Sequence, residues 1–272
     1  MSRGLGDVYK RQVRMETIKK IQQMEAFYVL FSRGTNNPFI ICDPETYNDQ
    51  VWIFEDSKDL EEKAKPYMEQ KNPVASIKVE NKSFLNFYST LFTLGVNEVV
   101  FVEKDKTTEF DLEEIVRRPD FSKLPENQRP LFNPQLQLTG IYFMQEFRRG
   151  VEMSEKANIN ELEEEMAANL VKSKFLVAVE KQEEGQENVQ VPYIKNKNGD
   201  VFQPIFTDPG EFAKFNKDKK FKAVVVEFKK RICLLIPLAK GVVVNPQGFN
   251  LIVMSEQFEN LLKRFGIQKE SK

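Results

Sequence analysis

The chain has 272 residues, 40 basic against 41 acidic side chains, a net charge of −1 and no histidine. The length suits two domains, the balanced charge lacks the basic excess that binding a nucleic-acid backbone requires, and the missing histidine excludes Ser-His-Asp, Cys-His and His-ligated metal sites within the chain. The two cysteines fit no metal-ligand spacing, and no apolar run reaches the ~20 residues of a membrane span, so a reduced, cytoplasmic protein without signal peptide or membrane segment is expected.

Residues 1–14 are set aside, either as an artefact, because Leu5 to Gln12 resembles a translated sequencing-adapter remnant, or as a disordered tail; the authentic start is expected at Met15, at Met24 or upstream. Ile18, Ile21 and Met24 then mark a helix face. Strand signals follow at Phe27–Phe31, Pro38–Ile41 and Ile53–Asp56. Asp56, with Asp59 three residues later, reads as a helix N-cap. A strand at Pro73–Val79, a helix at Ser83–Leu94 and a buried strand at Val99–Val102 complete a first domain, placed at residues 15–110. A connector at residues 111–157 holds a helix at Asp111–Arg117, a proline-bearing stretch and a helix at Gln135–Arg149, with Leu136, Ile141, Phe143, Met144 and Phe147 apolar.

The pattern then repeats. Ile159, Leu162, Met166 and Leu170 lie on one helix face. Phe175–Val179, Pro192–Ile194 and Ile205–Asp208 match the first three strand signals at offsets of 148, 154 and 152. Asp208, Pro209 and Glu211 repeat the cap. A strand at Ala223–Phe228, a helix near Lys229–Leu238 with Cys233 as a buried apolar residue, and strands at Val242–Val244 and Phe249–Met254 close a second domain at residues 158–266, before a tail at 267–272. The fold class is α/β, layered as α+β: two diverged copies of a mixed-sheet domain joined by a helical connector, with phenylalanine-rich cores.

Val191-Pro192-Tyr193-Ile194, Gly199-Asp200, Pro204 to Asp208, Glu211-Phe212 and Gly241 to Gly248 resemble the N-terminal domain of the SseB (enhanced serine sensitivity) family. The first half looks like a degenerate copy, with Val102-Glu103-Lys104-Asp105 where the second has Asn245-Pro246-Gln247-Gly248. The resemblance implies the fold and no catalytic activity.

Asn245, Pro246, Gln247 and Gly248 read first as a turn and second as a contact loop for a partner or ligand. Thr207 and Asp208 read first as a helix cap. Asn198-Gly199 is a hairpin turn pair. Asp43, Glu45 and Asp49 fail the calcium-loop spacing, no glycine-rich phosphate loop occurs, and no metal or cofactor is expected. Lys214, Lys217, Lys219, Lys220 and Lys222 form the densest basic run, a solvated face or a dock for an acidic partner. The expected function is a non-catalytic interaction or regulatory protein with an unidentified protein partner, no nucleic acid and no membrane. Its contact surface is expected at Asn245–Gly248 and the connector helix around Tyr142 and Arg148. The alternative is a small-ligand protein using a groove between the domains, or a histidine-independent enzyme built on residues such as Asp43, Asp208 or Lys195.

Overall fold

The structure, a computed structural model, describes residues 3–180, 190–230 and 236–266. The chain divides into two units, one of residues up to 33 together with 38–119, the other of residues 34–37 together with those from 120 on.

The first unit runs α1 (Arg3–Gln23), β1 (Ala26–Ser32), the short β2 (Asn37–Pro38, whose Asn37 counts with the second unit) and β3 (Ile40–Cys42), β4 (Asp49–Phe54), α2 (Ser57–Glu69), β5 (Val74–Glu80), α3 (Phe84–Thr93), β6 (Glu98–Glu103), β7 (Lys106–Asp111) and the single turn α4 (Leu112–Ile115). Strands β5, β1, β4, β6 and β7 lie side by side, with β4 and β6 parallel and the other pairs antiparallel.

The second unit runs α5 (Pro134–Phe147), α6 (Ile159–Lys172), β8 (Lys174–Glu180), the short β9 (Ile194–Lys195), β10 (Val201–Phe206), α7 (Pro209–Phe215), β11 (Phe221–Glu227), β12 (Gly241–Val244), β13 (Leu251–Met254) and α8 (Phe258–Arg264). Its strand order, β11-β8-β10-β12-β13, has the same directions, with β10 and β12 as the parallel pair.

The registers coincide as well. Tyr28 faces Phe54 in the first sheet, and Leu176 faces Phe206 in the second. Phe27 and Phe54 of the first core and Phe175 and Phe206 of the second occupy matching positions and are essentially fully buried. Each such ring contributes about 2–3 kcal/mol by leaving water. The matching helices start from matching caps: Asp56 accepts from the Lys58 N–H (2.8 Å) and Asp208 from the Glu211 N–H (3.0 Å), each satisfying a donor that the first helical turn cannot.

Some elements differ from the reading of the sequence. The stretch set aside as a tail is helical from Arg3 onward, since Lys10 to Gln23 is rich in helix formers and contains no proline. Strand β7 carries no sequence signal, because Phe110 is its one buried residue. The first of the connector helices shrinks to α4, capped by Asp111. The strand read at Phe249–Met254 begins only at Leu251. The helix read near Lys229–Leu238 falls partly on residues outside the described ones, among them Cys233; its described ends are a 3-10 turn at Phe228–Lys230 and a non-helical bend and turn at 236–238. The hairpin between β9 and β10 is present, but its turn lies one residue earlier than the sequence suggests: the Gly199 N–H donates to the Asn196 carbonyl (3.0 Å), so Lys197 and Asn198 are the central pair and Gly199 follows at φ +82°, while Asn196 Oδ1 accepts from the N–H groups of Asn198 and Asp200.

Candidate functional site

The carboxyl ends of a parallel strand pair are where open α/β sheets commonly receive ligands. In the second unit this place is filled by the protein itself. Thr207 follows β10 and Asn245 follows β12, so the parallel register brings them together although 38 residues separate them. Asn245 Oδ1 accepts from the Thr207 N–H (3.0 Å), and Asn245 Nδ2 donates to Thr207 Oγ1 (2.9 Å) and Gln137 Oε1 (3.2 Å). Gln137 Nε2 and the Thr207 hydroxyl both donate to Asp208 Oδ2, at 2.8 and 2.7 Å. Thr207, Asn245, Gln137 and Asp208 are all buried. A polar group withdrawn from water is tolerated when its hydrogen bonds are replaced, and here each amide and hydroxyl has a partner. The network joins α5 to the sheet. Asn133 at the start of α5 adds bonds to the Thr207 and Lys174 carbonyls, at 2.7 and 2.8 Å.

Asn245 also ends the β12–β13 ladder. It lies opposite Asn250, and both take left-handed backbone conformations, φ +48° and +53°, which asparagine tolerates better than most residues. The loop between them returns under α5, where Gly140 leaves room for the Phe249 ring; a β-carbon at 140 would stand 3.1 Å from it. Gly248 lies over Glu211 in the same way, 2.8 Å from Oε2 to a would-be β-carbon. Glu211 is buried, with Oε1 held by Lys214 (2.5 Å) and Oε2 without a hydrogen-bond partner among the described residues. Burial pushes its carboxyl above the ordinary glutamate value; Lys214 opposes the rise and neighbouring Asp208 adds to it.

Beside the network, α5, α6, α8 and β13 enclose a groove of about 590 Å³. Its walls are mostly carbon: Met144, Met166, Leu170, Leu251, Val253 and Leu261. Phe147 and Ile252 stand at it with 46% and 48% of their surfaces exposed. The charged residues around it are committed to other groups. Arg264 pairs with Glu163 (2.9 Å) and with Glu164. Arg148 donates to the Asn250 carbonyl (2.8 Å) and to the Gly34 carbonyl, and burial draws its guanidinium below its usual value.

The candidate residues of the sequence therefore separate. Thr207, Asp208 and Asn245 meet in the network. Gly248 covers Glu211, and Arg148 lines the groove. Pro246 is half-buried; Gln247 is exposed, and its carbonyl accepts from Asn36 (2.6 Å). Tyr142 is half-buried on α5 and outside the groove lining. No motif in the sequence marks Gln137, Asn133 or Glu211 as a site residue. The available signal was Gln137 itself, a polar residue between Leu136 and Leu138 within the apolar part of a helix. Asp43 spends its carboxylate on the turn N–H groups of Glu45 and Thr46, which hold it below the ordinary value. No group of three metal-ligating side chains occurs among the described residues.

Residues 152–258 match the SseB protein N-terminal domain. Helix α5 precedes the matched stretch, so Gln137 closes the SseB-like domain from outside it. No curated protein matches the chain. Among solved structures, Tic22 from Plasmodium falciparum is similar over 92% of this chain and 98% of its own, at 13% identity and a TM-score of 0.22. Anabaena Tic22 (protein transport) is similar over 78% of this chain and 81% of its own, at 10% identity and the same TM-score. A score of 0.22 is too low to carry fold or function across. No helix among the described residues is long and apolar enough to cross a membrane.

Proposed function

We propose that the protein is a non-catalytic interaction protein whose SseB-like unit takes an apolar segment of a partner protein in the groove between α5, α6, α8 and β13. The groove itself carries the reading: about 590 Å³, walled by methionine and aliphatic side chains. Thioether side chains adapt to the shape of what they contact, which suits a protein segment. Apolar helices bind such grooves by burying one face. Chemistry would instead require a convergent, unpaired acid or base, whereas Arg264 and Glu163 pair with each other and Arg148 is held by main-chain carbonyls. A reducing compartment suits Cys42, which is an exposed free thiol.

The test is site-specific photo-cross-linking in cells from a photoreactive amino acid at position 252. A discrete protein adduct is expected, and Phe147→Arg should abolish it without changing thermal unfolding, since Phe147 is exposed. An adduct that survives Phe147→Arg, or no adduct, overturns the proposal. A small apolar molecule found by mass spectrometry in the purified protein would replace the protein segment as occupant.

A further inference from the structure

Strand β11 ends the second sheet, with β8 on one side and no described strand on the other. Phe228 donates to the Ser173 carbonyl (3.1 Å), which fixes the phase of the antiparallel ladder. Alternation then turns the N–H and C=O groups of Phe221, Ala223 and Val225 away from β8. The Asn216 side chain confirms that phase: its Oδ1 accepts from the Phe221 N–H (3.1 Å) and its Nδ2 donates to the Phe221 carbonyl (2.9 Å), the two bonds a neighbouring strand would make. The edge beyond it, at Ala223 and Val225, is exposed.

An open edge is a hazard that sheets usually blunt with a charge. The first unit does so. Its edge strand β5 has Lys78 opposite Tyr28, and the equivalent partner of Leu176 in the second unit is Val225. Val224 and Val225 are 46% and 55% exposed, consecutive on this edge strand and so on its two opposite faces. Leading into it are Lys217, Lys219, Lys220 and Lys222, all exposed; among the described residues Asp218 pairs with Lys220 at 3.8 Å, and Glu180 lies opposite Phe221. An edge of β-branched residues next to a run in which exposed lysines outnumber acids suits one kind of strand: extended, β-branched and acidic.

The geometry points to β11 as a site of strand addition for an acidic extended segment of a partner protein, with main-chain bonds at Ala223 and Val225 and charge contacts from Lys219, Lys220 and Lys222. The site is separate from the groove and does not depend on it. The probe is a short fluorescein-labelled peptide alternating glutamate and valine, titrated with the full chain and followed by fluorescence anisotropy. Saturable binding is expected. It should weaken about tenfold or more with Val225→Lys, which installs the first unit's residue, and with Lys219→Glu combined with Lys220→Glu in the exposed turn. A peptide N-methylated at alternate amides should lose a similar factor. Circular dichroism of each variant checks the fold, and the turn variant keeps the test valid should Val225→Lys unfold. No binding of the peptide, equal binding of the methylated peptide, or indifference to both variants overturns the proposal. So does binding to phosphatidylglycerol vesicles in place of the peptide, which would make the patch a lipid-facing surface.

Discussion

The two sheets share strand order, direction and register, yet they close the carboxyl ends of their parallel strands with opposite chemistry. In the first unit, Glu55 after β4 and Glu103 at the end of β6 meet Lys20 of α1, at 2.7 and 2.5 Å, with about a third of each side chain in water. Burial would lower the Lys20 amine, but its bonds to Glu103 and Glu55 outweigh that and raise it. In the second unit the same place holds neutral amides around one carboxylate, Asp208, sealed from water. The divergence turns on one residue. Val102 continues β6, so the ladder runs through Val102↔Thr107 to Glu103↔Lys106. Asn245 at the matching position takes φ +48°, the ladder stops at Val244↔Leu251, and the side chain turns into the network. A β-branched residue resists that backbone conformation, whereas asparagine accepts it and supplies a donor and an acceptor. One topology thus tolerates either a solvated ion pair or a buried amide network, but their energetic stakes differ.

Installing the first unit's residue, Asn245→Val, tests this most severely. It orphans the Thr207 N–H and Gln137 in a dry site and imposes left-handed backbone on valine, so a loss of about 3 kcal/mol or more is expected in denaturant titration. A loss below about 1 kcal/mol would show that the network is dispensable. Glu211→Gln probes the buried carboxyl. Its folded-state value lies above the ordinary glutamate value, so the folded state holds the proton more tightly than the unfolded chain. Its contribution to stability is therefore fully present in acid and is lost as pH rises through the raised value. Relative to the glutamine variant, the native chain should lose melting temperature as pH rises above the ordinary glutamate range and through the raised value; a pH-independent difference would refute the assignment. Lys20→Met should matter least, at most about 1 kcal/mol, because an ion pair this exposed is screened. Trp52, the single tryptophan, lies in β4 of the same unit, and its fluorescence is the natural readout. A larger loss there would mean that the two chemistries are energetically equivalent.

Much of the fold was legible because its signals are local. Phe27, Phe54, Phe175 and Phe206 repeat within matching apolar runs, and Asp56 and Asp208 announce their helices in the sequence itself. Strand β7 escaped because Lys106 to Glu109 present no alternating apolar face. The candidate site was legible only in pieces. Asn245 read as a turn and Asp208 as a cap, and both descriptions are correct for their own backbone.

The sequence by itself determined the duplication, the cores, the caps and the single exchange, Val102 for Asn245, on which the two units diverge. These depend on side-chain shape and on neighbours a few residues away. Tertiary structure alone decided that Asn245 would meet Thr207 across a parallel strand pair, that Gln137, 108 residues distant, would fill the crevice at their ends, and that the apolar faces of α5, α6 and α8 would leave a groove over β13. Whether a polar side chain is buried, and what satisfies it, is set by segments far away in sequence, and the crossover between β10 and β12 is what brings them within hydrogen-bonding distance.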